Sequence, residues 1–150
     1  MKTKEQILVY VFTLFCFSSF FSQGFNSSLE PNLPMKIANN AVSGGYLNGI
    51  PHVFSFSGID STKIYKGIGL KSFRYNTLTQ LWDTIPDLPD TRGKIAAGAS
   101  TIDSIIYIIG GYHVNKFQQE VSSNKIHRYN INTNSYLSDG TNIPVPIDDH

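Results

Sequence analysis

The feature that most constrains this chain is an internal repeat. Leu33-Pro34 recurs as Leu88-Pro89 and again as Ile143-Pro144, an interval of 55 residues each time. After a small shift in register, residues 71–76 (KSFRYN) match residues 125–130 (KIHRYN). Repeats of this length indicate copies of one supersecondary unit that stack against each other, so a single irregular domain is excluded.

Each unit is predicted to consist of four short strands. In the second unit, Ser104 to Ile109 is an apolar run too short for a helix and closed by Gly110-Gly111, which is typical of a buried strand. A polar loop is predicted from Tyr112 to Asn124. The other strands are predicted at Ile95 to Thr101, at Lys125 to Ile131 and from Ser135 to Leu137. The chain is therefore predicted to be all-β.

The first 24 residues resemble a secretory signal peptide. Lys2 and Lys4 precede an apolar run from Ile7 to Phe21, and Ser22-Gln23-Gly24 offers small residues for cleavage. The run is shorter than the roughly 20 residues that span a bilayer, although an uncleaved N-terminal anchor is the alternative. We predict a signal peptide at 1–24, a linker at 25–32 and a mature protein that is secreted, periplasmic or on the cell surface, with no membrane attachment.

The charge and cysteine content exclude several classes of function. The 12 basic and 11 acidic residues become ten of each when residues 1–24 are removed, so no basic surplus favours nucleic acid. The single cysteine, Cys16, lies in the predicted signal, so the mature chain has neither a disulfide nor thiol chemistry. We expect no cofactor.

Aromatic and glycine spacings resemble the kelch repeat. Gly110-Gly111 is followed by Tyr129 and then by Tyr136, and in the first unit Tyr75 and Trp82 are likewise seven residues apart. Ser57-Gly58 replaces the double glycine there. The resemblance covers a first unit at 33–87, a second at 88–142 and the start of a third at 143–150.

The kelch resemblance implies a β-propeller, whose four-stranded blades surround a channel. It implies that the paired tyrosine and tryptophan fill the space between blades. Because propellers close with about four to eight blades, two units and the start of a third are expected to be an N-terminal fragment of a longer protein. Assembly of several copies into a ring is the alternative, and we do not expect an oligomer.

Few residues suggest catalysis or metal binding. His52, His113, His127 and His150 show no metal-ligand spacing, so no metal site is predicted. In a propeller, the start of the innermost strand and the loop after the double glycine face one mouth of the channel. At a constant interval of 55, Arg92 aligns with Ile37 and Ile147, and Lys94 aligns with Asn39 and Asp149, so these positions do not repeat. The predicted ligand-binding residues are Arg92, Lys94, Tyr112, His113, Asn39 and Asp149; no catalytic residue is assigned.

Three functional hypotheses follow. The first is an exported kelch module that binds a glycan or a protein. The second is a sugar mutarotase or epimerase, because exported sialic-acid mutarotases of the kelch type are similar in layout. The third is a copper enzyme resembling galactose oxidase, whose tyrosine–cysteine chemistry residues 25–150 do not supply.

Overall fold

The computed structural model describes residues 29–148, which form two antiparallel units and a short segment after them. The first unit contains β1 (Ile37–Ala38), β2 (Ala41–Leu47), β3 (Ile50–Phe56), β4 (Ile59–Asp60), β5 (Ser72–Asn76) and β6 (Leu81–Ile85), with one turn of 3-10 helix at Tyr65–Gly67. The second unit contains β7 (Ile95–Ile102), β8 (Ile105–Val114), β9 (Glu120–Ser122), β10 (Ile126–Asn130) and β11 (Ser135–Leu137). The predicted signal peptide and Asp149 lie outside the described residues.

Each unit is built on a four-stranded antiparallel sheet. The strand order is β2-β3-β5-β6 in the first and β7-β8-β10-β11 in the second, where β9 also pairs with β8. Short turns join β2 to β3, β5 to β6, β7 to β8 and β10 to β11, whereas longer segments connect β3 to β5 and β8 to β10. Asn48 and Gly49, with φ values of 52° and 79°, supply the backbone that a two-residue hairpin turn between β2 and β3 requires.

The end of β8 differs from the prediction. The strand continues through Gly110-Gly111 to Val114, and β9 lies within the stretch that was predicted to be loop. The two glycines have φ values of 64° and 76°, and left-handed backbone is accessible to glycine without a steric penalty. The register with β7 is the same on both sides, because Gly110 pairs with Ala97 and Tyr112 pairs with Ile95. The double glycine therefore bends the strand and does not end it.

Ser57-Gly58 is the structural counterpart of Gly110-Gly111, as the sequence predicted. Both pairs have positive φ at both residues. The N–H of Ser57 donates to the carbonyl of Lys71 at 2.9 Å, and the N–H of Gly110 donates to that of Lys125 at 3.1 Å. The two units thus share one backbone pattern at this turn despite the change of residue.

The core lies between the two sheets. Tyr129 of β10 is fully buried, with its ring centroid 5.8 Å from that of Phe54 and 5.6 Å from that of Phe56. Tyr136 lies opposite Tyr129 in the register, with its ring centroid 5.3 Å away. The remaining buried residues of this cluster are Ala41, Ile85, Leu88, Ile106, Ile108 and Ile131. The second unit's tyrosine therefore packs against the first unit, as the kelch resemblance implied.

The corresponding aromatic pair of the first unit lies on its other side. Tyr75 and Trp82 are directly opposite each other on β5 and β6, with ring centroids 5.1 Å apart. The segment that precedes β1 covers them: Trp82 Nε1 donates to the carbonyl of Pro31 at 2.9 Å, and the Tyr75 hydroxyl bonds to the Glu30 carboxylate. All four predicted aromatic residues therefore occupy packing positions.

Candidate functional site

Two adjoining cavities lie along the segment that joins the two blades. The larger has a volume of about 540 Å³ and lies between the Tyr65–Leu70 region of the first blade and the end of β8. The smaller has a volume of about 250 Å³ and lies between this joining segment and residues Val121 to Lys125. Thr91, Arg92 and His113 line both cavities.

The backbone register shows how the joining segment reaches this position. Gly58 and Gly111 are equivalent, and their N–H groups donate to the carbonyls of Lys94 and Ile147 respectively, both at 2.9 Å. Lys94 is therefore the counterpart of Ile147, and the alignment of Arg92 with Ile147 and of Lys94 with Asp149 is wrong. Asn39 and Ala96 have φ values of 52° and 54°. Asn39 and Ala96 are therefore equivalent, and the residues two positions before them, Ile37 and Lys94, match as well.

The alignment fails because the joining segment is two residues longer at this junction. Leu88 and Ile143 are equivalent, since their N–H groups donate to the carbonyls of Leu70 and Asn124 at 2.9 Å in each case. From Leu88 to Lys94 the chain advances six positions, but from Ile143 to Ile147 it advances only four. The longer segment carries Asp90 and Arg92, whereas residues 143–147 contain neither an aspartate nor an arginine.

Asp90 is the centre of a buried cluster of charged side chains. Its carboxylate, 9% exposed, lies 3.0 Å from Lys125 Nζ, 3.3 Å from Lys94 Nζ and 3.2 Å from His127 Nε2. Lys94 is only 4% exposed, and its Nζ also donates to Ser123 Oγ at 2.9 Å. A buried ammonium needs this many partners because leaving water removes its hydration.

His127 connects Lys94 to a second carboxylate. Its Nδ1 lies 2.8 Å from Asp139 Oδ1, so Nδ1 carries a hydrogen and donates it. Its Nε2 lies 3.1 Å from Lys94 Nζ and 3.2 Å from Asp90 Oδ2, so one imidazole contacts Lys94 and both carboxylates.

The first blade has apolar residues where the second has this cluster. The matched registers of β5 and β10 place Phe73 at the position of His127. Phe73 is buried. Because the first blade forms the same sheet with an apolar interior, the fold does not require the charged cluster.

The surroundings of these groups shift their ionisation. Burial lowers the pKa of the Lys94 amine, and attraction to Asp90 opposes this effect. Burial would raise the pKa of Asp90, but hydrogen bonds from Lys125 and the Thr91 backbone, with the nearby lysine charges, lower that pKa well below its usual range. Burial lowers the pKa of His113, and the positive charge of Arg92 adds to this effect.

Three of the predicted ligand-binding residues meet at these cavities. Arg92 is exposed and lines both, His113 is half-buried beside it, and Lys94 lines the smaller cavity. Tyr112 is half-buried on β8, opposite Ile95.

Asn39 lies elsewhere. It is exposed, and its carbonyl accepts the N–H of Ala96 at 3.1 Å. Whether any of these residues binds a ligand remains a prediction.

Sequence reasoning did not find Asp90, Ser123, His127 or Asp139. A signal was nevertheless present, because the match of residues 71–76 with 125–130 sets Phe73 against His127. An ionisable residue at a position that is apolar in another repeat is unexpected for packing. Asp90 carried the same signal, since at an interval of 55 it aligns with Met35 and Val145.

Within residues 29–148, no group of three or more histidine, cysteine, aspartate or glutamate side chains is arranged to hold a metal ion. The same part of the chain contains no helix of the length and apolarity needed to cross a membrane.

The fold and this site define a class of protein, a β-propeller with a polar site at a blade junction. Three comparisons with known proteins agree with the fold. Residues 96–136 match the Kelch motif. Human Kelch-like protein 42 is 33% identical over 78 residues, a match that covers 49% of this chain and 14% of that protein. The solved structure of YjhT, a kelch propeller, superposes with a TM-score of 0.58 and 21% identity over 81% of this chain and 32% of its own.

The chain thus contains a kelch motif, and its fold is that of two neighbouring blades of a kelch-type β-propeller. It spans about a third of the matched structure and a smaller part of the human relative. Kelch repeats generally mediate protein binding.

Proposed function

We propose that this protein is a propeller module that binds a small, hydroxyl-rich ligand of the glycan type in the two cavities beside Arg92 and His113. The observation that carries the proposal is the convergence of both cavities on these two residues, which come from the joining segment and from β8. Residues at such a position contact a ligand from two sides.

The size and lining of the cavities favour a small ligand over a protein surface. A volume of about 540 Å³ falls within the range of small-molecule sites. Tyr65 and His113 supply rings with one apolar face and a polar edge, which suit the mixed surface of a sugar. Arg92 supplies several N–H donors in a fixed plane, which suit vicinal hydroxyls or a carboxylate.

A second candidate function is the interconversion of sugar anomers. The observation that favours it is the buried pair of Lys94 and Asp90, since ionisable groups with shifted pKa values beside a cavity are characteristic of acid–base sites. The resemblance of the sequence to exported kelch mutarotases points the same way. Export itself is a proposal that rests on residues 1–24, outside the described part of the chain.

The binding proposal is tested by saturation-transfer NMR against a panel of neutral and acidic monosaccharides. We expect Arg92→Ala to weaken binding of the best sugar at least tenfold. The matched control is Arg128→Ala, which removes the same charge from β10, where Arg128 bonds to Ser138. Binding by this control is expected to be unchanged. Absence of binding for every sugar, together with capture of a protein through an Arg92-dependent contact, would establish the protein-ligand alternative.

A further inference from the structure

We propose that the smaller cavity binds the phosphate group of a phosphorylated sugar, through Arg92, Lys125 and Ser123. This inference rests on the proposed binding of a glycan and names a group that its sugar carries. A phosphate monoester has a charge of about −1.5 to −2 at pH 7 and three acceptor oxygens. Its site therefore needs both an excess of positive charge and several hydrogen-bond donors.

The smaller cavity has this excess of positive charge. Arg92, Lys94 and Lys125 line it together with a single carboxylate, that of Asp90. Both oxygens of the carboxylate are engaged, Oδ1 by Lys125 at 3.0 Å and Oδ2 by Lys94 at 3.3 Å. The lining residues thus carry three positive charges against one negative charge. A phosphate monoester balances this excess, whereas a carboxylate balances only half of it.

Two further carboxylates lie near the cavity without lining it. Asp139 contacts His127 Nδ1 at 2.8 Å, and Asp148 bonds to the hydroxyl of Ser122. Within residues 29–148, neither of them forms an ion pair with a side chain that lines the cavity, apart from the lysine and histidine contacts already described. They therefore do not occupy the donors of the cavity.

Arg92 is the donor that remains free. Among residues 29–148 its guanidinium has neither a hydrogen bond nor an ion pair, and the residue is exposed. A guanidinium presents its N–H groups in a fixed plane that matches two oxygens of a phosphate. The neighbouring His113 responds to this charge, because its pKa is lowered by burial and further by Arg92. An anion in the cavity would offset that charge.

Ser123 and Lys125 supply donors from another part of the chain. Ser123 Oγ accepts hydrogens from Lys94 Nζ at 2.9 Å and from the Lys125 N–H at 3.2 Å, so its own hydroxyl hydrogen can be donated to a ligand. Lys125 Nζ has three donors, and its side chain is 40% exposed while it bonds to Asp90. Three side chains can therefore donate to the three oxygens of one phosphate group.

The first blade has an apolar counterpart of this cavity. Ile37, Gly69 and Lys71 line a cavity of about 20 Å³ there, compared with about 250 Å³ in the second blade. These residues are the counterparts of Lys94, Ser123 and Lys125. Gly69 and Ser123 match because their N–H groups donate to the carbonyls of the equivalent residues Gly58 and Gly111.

The charge of the two cavities differs as well. Lys71 and Asp60 line the first-blade cavity, so its one positive charge is balanced by one negative charge. The same place in the fold is thus small and neutral in one blade but larger and cationic in the other. Because the first blade forms without the cationic cavity, packing does not account for it.

The test compares three sugars that differ only at carbon 6, namely D-glucose, D-glucuronic acid and D-glucose 6-phosphate, by isothermal titration calorimetry. We expect glucose 6-phosphate to bind about tenfold more tightly than glucose and about fivefold more tightly than glucuronic acid, in line with charge-assisted hydrogen bonds to the phosphate. Lys125→Met is expected to reduce the ratio of the affinities for glucose 6-phosphate and glucose about fivefold. The matched control is Lys71→Met, which removes the counterpart lysine of the first blade and leaves this ratio unchanged.

A second measurement uses the unmodified protein, so it does not depend on the folding of a variant. Inorganic phosphate in the cavity offsets the charge of Arg92, so we expect it to raise the pKa of His113 in an NMR titration. The other charged groups that act on His113 are Asp90 and Lys94. Sodium chloride at the same ionic strength is the control and should raise this pKa less, since it only screens the charge.

The outcomes separate this inference from the proposed function. The phosphate site is overturned if glucose 6-phosphate binds no more tightly than glucose, if its advantage survives Lys125→Met, or if phosphate and chloride change the pKa of His113 equally; sugar binding then keeps its own test. Inorganic phosphate that binds as tightly as glucose 6-phosphate would show that the sugar contributes nothing, which overturns the glycan ligand and this inference with it. Absence of binding for every one of these ligands, together with a negative monosaccharide panel, also overturns both. Folding of each variant is checked by circular dichroism.

Discussion

Replacing Asp90 by asparagine tests whether the buried cluster is held together by charge. The substitution keeps the volume of the side chain but leaves Lys94, which is 4% exposed, without a carboxylate within 4 Å among residues 29–148. Removing one partner of a buried ion pair costs about 3–5 kcal/mol. Lys94 can avoid this by losing its proton, which for an ordinary pKa of about 10.4 costs about 5 kcal/mol at pH 7 and about 2 kcal/mol at pH 9.

We therefore expect Asp90→Asn to lower the free energy of unfolding by about 3–5 kcal/mol at pH 7, and by no more than about 2 kcal/mol at pH 9. Urea denaturation followed by circular dichroism and by the fluorescence of Trp82, the only tryptophan, measures both values. The matched control is Asp87→Asn, because Asp87 pairs with Lys71 at 3.1 Å with both side chains exposed. An exposed pair contributes less than about 1 kcal/mol.

The pH dependence has a definite sign at each end of the scale. The folded pKa of Asp90 is lowered, so its contribution is complete above the unfolded value of about 3.9 and is lost as the pH falls through the folded value. The folded pKa of Lys94 is also lowered, so stability rises with pH between that value and about 10.4. Equal losses for the two asparagine variants, or a loss for Asp90→Asn that is the same at pH 7 and pH 9, would refute the reasoning. The reasoning would also be refuted if the double variant Asp90→Asn/Lys94→Met did not recover most of the stability that Asp90→Asn loses.

Three further predictions concern the turn, the core and the cavities. Gly111→Ala places a Cβ 2.7 Å from that of Ala97 at φ +76°, so we expect a loss of about 2–4 kcal/mol in urea denaturation, whereas Gly110→Ser is tolerated because Ser57 occupies the equivalent position. Tyr129→Ala empties the space between the blades and should cost about 3–5 kcal/mol; Tyr129→Phe loses only the hydrogen bond to Asn134 and should cost about 1 kcal/mol, which thermal melting distinguishes. Arg92→Ala removes a positive charge beside His113 and should raise the pKa of that imidazole in an NMR titration; an unchanged or lower value contradicts the described site.

Much of the fold is predictable because packing residues repeat with the fold. The seven-residue spacing from Tyr129 to Tyr136 corresponds to two residues directly opposite each other across a hairpin, and the register confirms it. The end of β8 was not predictable from composition. In the sequence, Gly110-Gly111 predicts that the strand ends there. In the structure, Tyr112 to Val114 pair with β9, and the strand continues. β9 itself consists of three exposed residues, so it has no alternation by which to recognise it.

The site was only partly predictable because its members are brought together by register. Arg92 and His113 were expected near each other from the general geometry of a propeller, and they line the same cavities. Their buried neighbours depend on the two extra residues between Leu88 and Lys94, which a constant interval of 55 conceals. A change in the length of one junction shifts the alignment of the residues after it. The hydrogen bonds of equivalent glycines are therefore a better guide to matching residues than a fixed interval of 55.

The comparison of the two blades also bears on why the charged cluster exists. Burying Lys94, Asp90 and His127 removes their hydration, and hydrophobic replacement of such groups is often neutral or stabilising by about 1–4 kcal/mol. The first blade shows that this replacement is compatible with the fold, because the buried Phe73 fills the position of His127 there. A cluster that the sheet does not need, at a junction made longer by two residues and open to a cavity, supports the ligand site that we propose there. In a repeat protein the scaffold is encoded by what the units share, and the most informative sites for function are those where equivalent backbone positions carry residues of opposite polarity.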